Sequence, residues 1–153
     1  MKLAIGSDHA GFPLKEELKI FLAERGDHFE DFGTFEPDPP VDYPDIALAV
    51  AKAVVAGSFK AGILLCGTGQ GMAIAANKVP GIRASLCTDV ISASFARSHN
   101  DANILTMGQR ITAPHLAQEI LRIWLETSYA GGRHQRRLDK IHEIEQEFCR
   151  QKA

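Results

Sequence analysis

The sequence predicts an α/β protein built on a parallel sheet with helices on both faces. Three observations lead there. Five short apolar runs alternate with stretches of helical periodicity along the 153 residues, the pattern of repeated strand–helix–strand units. The runs show little apolar–polar alternation, as expected of strands buried on both sides. One of them leads straight into a glycine-rich loop and a further helix, a junction that in such folds lies where ligands bind, beyond the carboxyl ends of the strands.

Leu3 to Gly6 is the first strand, and it ends in Ser7, Asp8, His9, Ala10 and Gly11. Pro13 suits the first turn of a helix, where its missing N–H has no intrahelical partner to lose. Leu14, Leu18, Phe21 and Leu22 then fall on one helical face, and Gly26 stops the helix. Phe29 to Phe32 forms a short second strand, and the stretch from Gly33 to Pro44, rich in Pro and Asp, is a loop. Asp45 to Val55 is an alanine-rich helix closed by Gly57. Gly62 to Leu65 is the third strand, and a helix runs from Met72 to Asn77 beyond the glycine loop. Arg83 to Cys87 makes a fourth strand, and Val90 to Ser98 a helix that exits through His99, Asn100 and Asp101. Ile104 to Met107 is the fifth strand. Ala113 to Thr127 follows as a helix carrying Leu116, Ile120, Ile123 and Trp124 on one face. Gly131 and Gly132 break it, and His134 to Gln151 forms a last helix with the apolar stripe Leu138, Ile141, Ile144 and Phe148. Lying beyond the final strand, that helix either packs on its own domain or reaches a second subunit.

The length suits one domain, residues 1–153, large enough to bury a core without staples. Apolar content of 45% and charged content of 24% are those of a globular protein, and a formal net charge of -2 gives no reason to expect nucleic acid or an anionic membrane as partner. The N-terminal apolar run is too short for a signal peptide, and no run of transmembrane length follows. Three widely spaced cysteines, Cys66, Cys87 and Cys149, form neither a disulfide framework nor a zinc motif, which points to a reducing cytoplasm. The scattered histidines lack ligand spacing, so no metal site is expected.

The stretch the chain is organised around reads GILLCGTGQGMAIAANKVPGIR, from Gly62 to Arg83. Its alternating glycines, Gly67, Gly69 and Gly71, let the backbone turn tightly and bring several N–H groups to one point. Such a loop binds anions, or the charge that grows on an oxygen during a reaction. Beside these donors the Cys66 thiolate is stabilised, as a base or nucleophile requires. A buried cysteine before a tight turn explains the same residues, and the loop alone does not choose between the two. The carboxyl-end rule brings Asp8, His9, this loop and Asp89 to one rim. Asp8 there is either a ligand or a turn residue bonding its own backbone. His99 and Asn100 occupy a polar helix exit, where a histidine works as acid or base, or simply meets the last carbonyls. Arg133 and Arg137 share a helix face, as do Arg136 and Lys140, suited to phosphate oxygens or to solvent. His28, His115 and His142 read as surface residues.

Six stretches resemble one family: GSDHAG at 6–11, DYP at 42–44, CGTGQG at 66–71, AANKVPGIRA at 75–84, SHNDANIL at 98–105 and GGRHQRR at 131–137. In this order, over almost the whole chain, they are similar to the type B ribose-5-phosphate isomerases, whose wider family includes galactose-6-phosphate isomerase subunits. The resemblance implies a three-layer α/β/α, Rossmann-like fold with a five-stranded parallel sheet. It also implies a homodimer, in some members paired into a tetramer, with the active site at the subunit interface and the C-terminal helix extending to the partner. The implied reaction interconverts D-ribose 5-phosphate and D-ribulose 5-phosphate through an enediolate, with no cofactor and no metal, in the non-oxidative branch of the pentose phosphate pathway. By the same resemblance Cys66 is the base that moves the proton between carbons 1 and 2. The amides of Gly67, Gly69, Gln70, Gly71 and their neighbours hold the enediolate oxygens, and Thr68 shuttles the hydroxyl proton. His99 opens the furanose ring, and Asp8, His9 and Asn100 bind sugar hydroxyls. Arg110, Arg133 and Arg137 bind the phosphate, and Tyr43 lines the sugar pocket. One branch of the family places a glutamate base just after the last loop glycine; Met72 stands there, so the chain follows the cysteine branch. Galactose-6-phosphate isomerases divide their catalytic residues between unlike subunits, which a single chain holding Cys66, His99 and both arginines argues against. Allose 6-phosphate remains open as a substrate. From another class, a nucleotide-binding module accounts for Gly67-x-Gly69 after a strand with Asp89 about 20 residues on, although Gly71 falls one residue early. A phosphosugar sensor would keep the arginines without needing Cys66 or His99.

Overall fold

The computed structural model describes residues 1–150; the expected helix end at Gln151 lies outside them. The strands are β1 (Lys2–Ser7), β2 (His28–Asp31), β3 (Ala61–Cys66), β4 (Ala84–Leu86) and β5 (Ile104–Gly108). The helices are α1 (Phe12–Glu24), α2 (Tyr43–Val55), α3 (Gln70–Ala76), α4 (Val90–Ser98), α5 (Pro114–Glu126) and α6 (Arg133–Arg150). All strands are parallel, in the order β2-β1-β3-β5-β4.

The period of two along each strand divides the core. Leu3, Ile5, Ile63, Leu65, Leu105 and Met107 face one side, where Leu14, Leu18 and Leu22 of α1, Ala93 and Ala96 of α4, and Ala117, Ile120, Leu121 and Trp124 of α5 cover them. Ala4, Leu64, Cys66 and Ile104 face the other, under Ala47, Val50, Ala51 and Val54 of α2 and Met72 and Ala76 of α3. The chain thus forms the three-layer α/β/α fold. β2 lies to one side of β1 and β3 to the other, so the winding reverses between β1 and β3. Their carboxyl ends carry Asp8–His9 and Cys66–Gly71, and the reversal leaves a crevice between them.

Several elements depart from the sequence expectation: α3 begins at Gln70 rather than Met72, and β4 covers only Ala84–Leu86. α2 begins at Tyr43, two residues early, because Pro44 fits the first helical turn. On α5 the buried stripe is Ala117, Ile120, Leu121 and Trp124, whereas Leu116 is 39% exposed. Ala117 is fully buried in the core, and Leu116, one position earlier on the helix, falls on its outer flank. On α6 only the first residue of the apolar stripe is covered: Leu138 is 9% exposed, but Ile141, Ile144 and Phe148 are 41%, 57% and 59% exposed. The helix departs from two successive left-handed glycines, Gly131 and Gly132, and Glu145 pins it by accepting from the Gly81 N–H at 3.1 and 3.2 Å.

One wall of the crevice is set by a buried cation. Lys15 has no solvent exposure. Its ammonium donates to both Asp31 oxygens at 2.7 and 2.8 Å and to the Thr34 carbonyl, between the rings of Phe12 and Phe35. This post anchors the start of the loop that returns to Val41, whose backbone meets the His9 ring, and to Tyr43. Burial raises the Asp31 pKa, but hydrogen bonds from Lys15, Lys19 and the Gly33 N–H outweigh it and hold the carboxyl below its ordinary range. No helix among the described residues is long and apolar enough to cross a membrane.

Candidate active site

Cys66 ends β3 on the α2–α3 side and is 5% exposed. Its Sγ accepts a hydrogen bond from the Gly69 N–H at 3.1 Å. That bond exists because Gly69 takes φ +78, a left-handed turn at the start of α3 that aims its amide back at the sulfur. A Cβ at Gly69 would lie 2.6 Å from Leu86 Cδ1 and 2.8 Å from the Met107 carbonyl carbon, so the position admits no side chain. Below, Thr106 donates its hydroxyl to the Gly69 carbonyl at 3.0 Å. Gln109 and Arg110 donate their N–H groups to the carbonyls of Cys66 and Gly67, both at 2.9 Å. From the other side, a Cβ on Gly11 would lie 2.5 Å from the Leu65 carbonyl. Two chain segments, at Gly11 and at Met107–Arg110, therefore press on the cysteine turn with backbone, which fixes it.

Above the turn lies an open cleft of about 360 Å³ lined by Asp8, His9, Ala10, Tyr43, Cys66, Gly67, Thr68, Gly71 and Arg110. The structure thus brings together eight of the residues singled out from sequence. Asp8 also serves its turn, accepting from the Gly11 N–H at 2.9 Å. The Tyr43 ring lies over Gly71, where a Cβ would come within 2.6 Å of it. The Arg110 guanidinium lies over Gly67, 2.8 Å from where a Cβ would stand. Gly69 and Gln70 do not line the cleft: the Gly69 amide serves the sulfur, and the Gln70 N–H points to the Thr68 hydroxyl at 3.4 Å. Sequence reading did not assign the supporting roles of Thr106, Gly108 and Gln109, since nothing local in SHNDANILTMGQR marks a segment that packs under a distant loop.

His99, Asn100, Arg133 and Arg137 form a second group outside that cleft. The Ala130 N–H bonds the Ser98 carbonyl at 2.9 Å, so the start of α6 is tied to the end of α4. The His99 ring is sandwiched between Phe95, at 4.6 Å and 20°, and His134, at 4.2 Å and 13°. Partial burial and the positive charges of His99, Arg133 and Arg137 hold the His134 imidazole below its ordinary range. Among the described residues, no carboxylate forms an ion pair with Arg110, Arg133 or Arg137. Asp89, expected on the cleft rim, caps α4 by accepting from the Ser92 N–H at 2.8 Å. Cys87 is buried, and burial pushes its thiol up to about 11, the condition of an inert core residue; Cys149 is exposed. No cluster of three metal-ligating side chains occurs among the described residues.

The family model described as Ribose/Galactose Isomerase matches residues 3–141. Ribose-5-phosphate isomerase B of Escherichia coli is 48% identical over 145 residues, 95% of this chain and 97% of its own. D-erythrulose-4-phosphate isomerase of Pectobacterium atrosepticum is 41% identical over 92% of this chain and 93% of its own. The solved ribose-5-phosphate isomerase B of Clostridium thermocellum matches with a TM-score of 0.95 at 51% identity, covering 97% of this chain and 99% of that one. The Mycoplasma genitalium enzyme, solved with bound ribulose 5-phosphate, matches with a TM-score of 0.92 at 39% identity, over 95% of this chain and 97% of that one. The chain therefore belongs to the ribose/galactose isomerase family.

Proposed function

We propose that this chain interconverts D-ribose 5-phosphate and D-ribulose 5-phosphate, as a homodimer whose sites each combine two subunits. The observation that carries the reading is the Cys66 sulfur, nearly buried, facing a sugar-sized cleft and held by the Gly69 N–H at 3.1 Å. The thiolate is the form of a cysteine that takes a proton.

Ribose 5-phosphate arrives as a furanose. His99 of the partner subunit takes the proton of the C1 hydroxyl while the ring oxygen gains one, which frees the C1 aldehyde. The Cys66 thiolate removes the proton from C2, and the electron pair moves through C1–C2 onto the aldehyde oxygen, giving the enediolate. The loop amides not used by the sulfur, with the Arg110 charge beside Gly67, offset that negative charge. The thiol returns its proton to C1, and the O2 proton passes to O1 by way of the Thr68 hydroxyl, leaving a ketone at C2. Asp8, His9, Tyr43 and Asn100 orient the hydroxyls. Arg110, with Arg133 and Arg137 of the partner subunit, holds the phosphate; Arg forks match its oxygens. Two features support a shared site. His99, Asn100, Arg133 and Arg137 do not line the chain's own cleft, and the Ile141, Ile144 and Phe148 stripe of α6 lies uncovered. The free cysteines suit a reducing cytoplasm.

The test is isomerisation of ribose 5-phosphate by the wild type and by Cys66→Ala, in excess chelator, with folding checked by circular dichroism. Turnover should fall by roughly 10²–10⁴-fold in the folded variant. Undiminished turnover in Cys66→Ala removes Cys66 as the base. A wild type that ignores ribose 5-phosphate but turns over allose 6-phosphate or erythrose 4-phosphate would replace the substrate and keep the chemistry.

A further inference from the structure

The stretch from Ala75 to Ala84 lines neither the cleft nor the histidine group, yet side chains tie it at several points. Asn77 donates to the Ala84 carbonyl at 2.9 Å and accepts from the Ala84 N–H at 2.8 Å. Asn103 accepts from the Arg83 N–H and donates to the Gly81 carbonyl, both at 2.8 Å. At the end of this stretch the half-buried Arg83 reaches across to the turn after α4. Its Nε donates to the carbonyls of Asn100 at 3.0 Å and Asp101 at 3.1 Å. Its Nη2 donates to the Asp101 carbonyl at 2.8 Å and to Asp101 Oδ2 at 3.2 Å. Arg97 holds the other Asp101 oxygen at 3.0 Å.

Asp101 has φ +43, the one non-glycine residue with positive φ among the described residues. A side chain in that region is strained, and the conformation persists only where the surroundings hold it. Here they do so through both oxygens of its carboxylate and through its carbonyl. The carbonyls that Arg83 grips belong to Asn100 and Asp101, the two residues directly after His99. Fixing both carbonyls fixes the direction in which the chain leaves His99.

We infer that Arg83 is a positioning residue for His99 and Asn100: its fork locks the left-handed turn that presents both to the partner subunit's cleft. This rests on the activity proposed above, in which those two residues work, and it assigns Arg83 no contact with substrate. The grip needs neighbouring N–H groups on one planar edge. Arg has them, and Lys, with a single ammonium, cannot span both carbonyls in the same way.

Two measurements test it. The first is amide hydrogen exchange of wild type and Arg83→Met. Exchange over residues 99–103 should quicken about tenfold or more while β1 and β3 keep their protection; unchanged exchange in that turn overturns the clamp. The second is a double-mutant cycle on ribose 5-phosphate isomerisation with Arg83→Met and His99→Asn. Arg83→Met should lower kcat about tenfold with KM within about threefold, and the double variant should lose clearly less than the product of the two single losses, what remains being the share that acts through Asn100. Losses that multiply in the double variant make Arg83 merely structural and overturn the inference. Should Arg83→Met lose its circular dichroism signal, Arg83→Lys carries both tests, with the same direction at smaller size. A wild type without the activity, or a His99→Asn variant at full rate, falls on the reading of the site, and exchange alone then decides whether Arg83 holds the turn.

Discussion

Around Cys66 the backbone sets the geometry. A left-handed glycine aims one amide at the sulfur, and segments from β1 and β5 press in where no Cβ fits. Around His99 side chains set it: a Phe95–His99–His134 stack, and the Arg83 and Arg97 grip on Asp101. The first region is enclosed and needs nothing further to hold its shape. The second is displayed on the outside, with Arg133 and Arg137 unpaired by any described carboxylate beside an uncovered apolar helix face. The contrast teaches that one group is a floor and the other a reaching arm. An arm lying outside the chain's own cleft is what the proposed shared site requires.

The sharpest way to break this contrast is to mix inactive variants. Cys66→Ala and His99→Asn homodimers should each be nearly dead. Unfolded together and refolded, they should recover about a quarter of wild-type turnover, because half the dimers are mixed and each of those has one intact site. No recovery means that Cys66 and His99 act within one chain. A smaller effect is expected from the arm's cations. Arg137→Ala should raise KM for the sugar phosphate by roughly 10- to 100-fold, the worth of a charge-assisted bond, while the Cys66 thiol keeps its reactivity toward an uncharged alkylating agent. A parallel fall in thiol reactivity would mean that the two regions are not separate. The smallest effect on turnover concerns the Lys15 post, which should act through stability. Asp31 has a lowered folded-state pKa, so it stabilises the fold above its unfolded pKa, and that contribution is lost as pH falls through the folded value. Asp31→Asn should cost about 3 kcal/mol at pH 7 by leaving Lys15 buried without its counter-charge. The gap in urea midpoint between wild type and variant should narrow below about pH 4. A gap that stays constant down to pH 2 would remove the ion pair from the account.

Much of this could be read from the residues before any coordinates. Val90–Ser98 came out with both ends correct because Asp89 is an N-cap by type and the SHND exit is polar. β1, β3 and β5 were legible because burial on both faces strips out polar alternation; the edge strands β2 and β4 are only partly covered and carry a weaker signal. What escaped has physical reasons. Lys15 lies between Leu14 and Leu18, and a lysine there reads as a solvated flank; only its pairing with Asp31, across to β2, makes burial tolerable. On α5, Leu116 draws attention by its hydrophobicity, while the buried position belongs to the small Ala117, which carries no such signal. In the candidate site, the cysteine and glycines could be read as chemistry from the loop itself. Arg110 and Tyr43 entered only through resemblance, since each reaches the cleft from another part of the chain. Arg83 carried no signal for its positioning role, because its partners are mostly main-chain carbonyls and those look alike in every sequence.

The backbone contacts beneath the cysteine turn have a consequence for how such an enzyme can change. Apart from the Thr106 hydroxyl and the Leu86 side chain, what touches the turn from below is glycine or main chain, so few side chains there can be exchanged for larger or smaller ones. Variation is pushed outward, to Tyr43, Arg110 and the first turn of α6. A lineage could lengthen or shorten the sugar it accepts by moving those outer groups while the proton-transfer apparatus stays untouched.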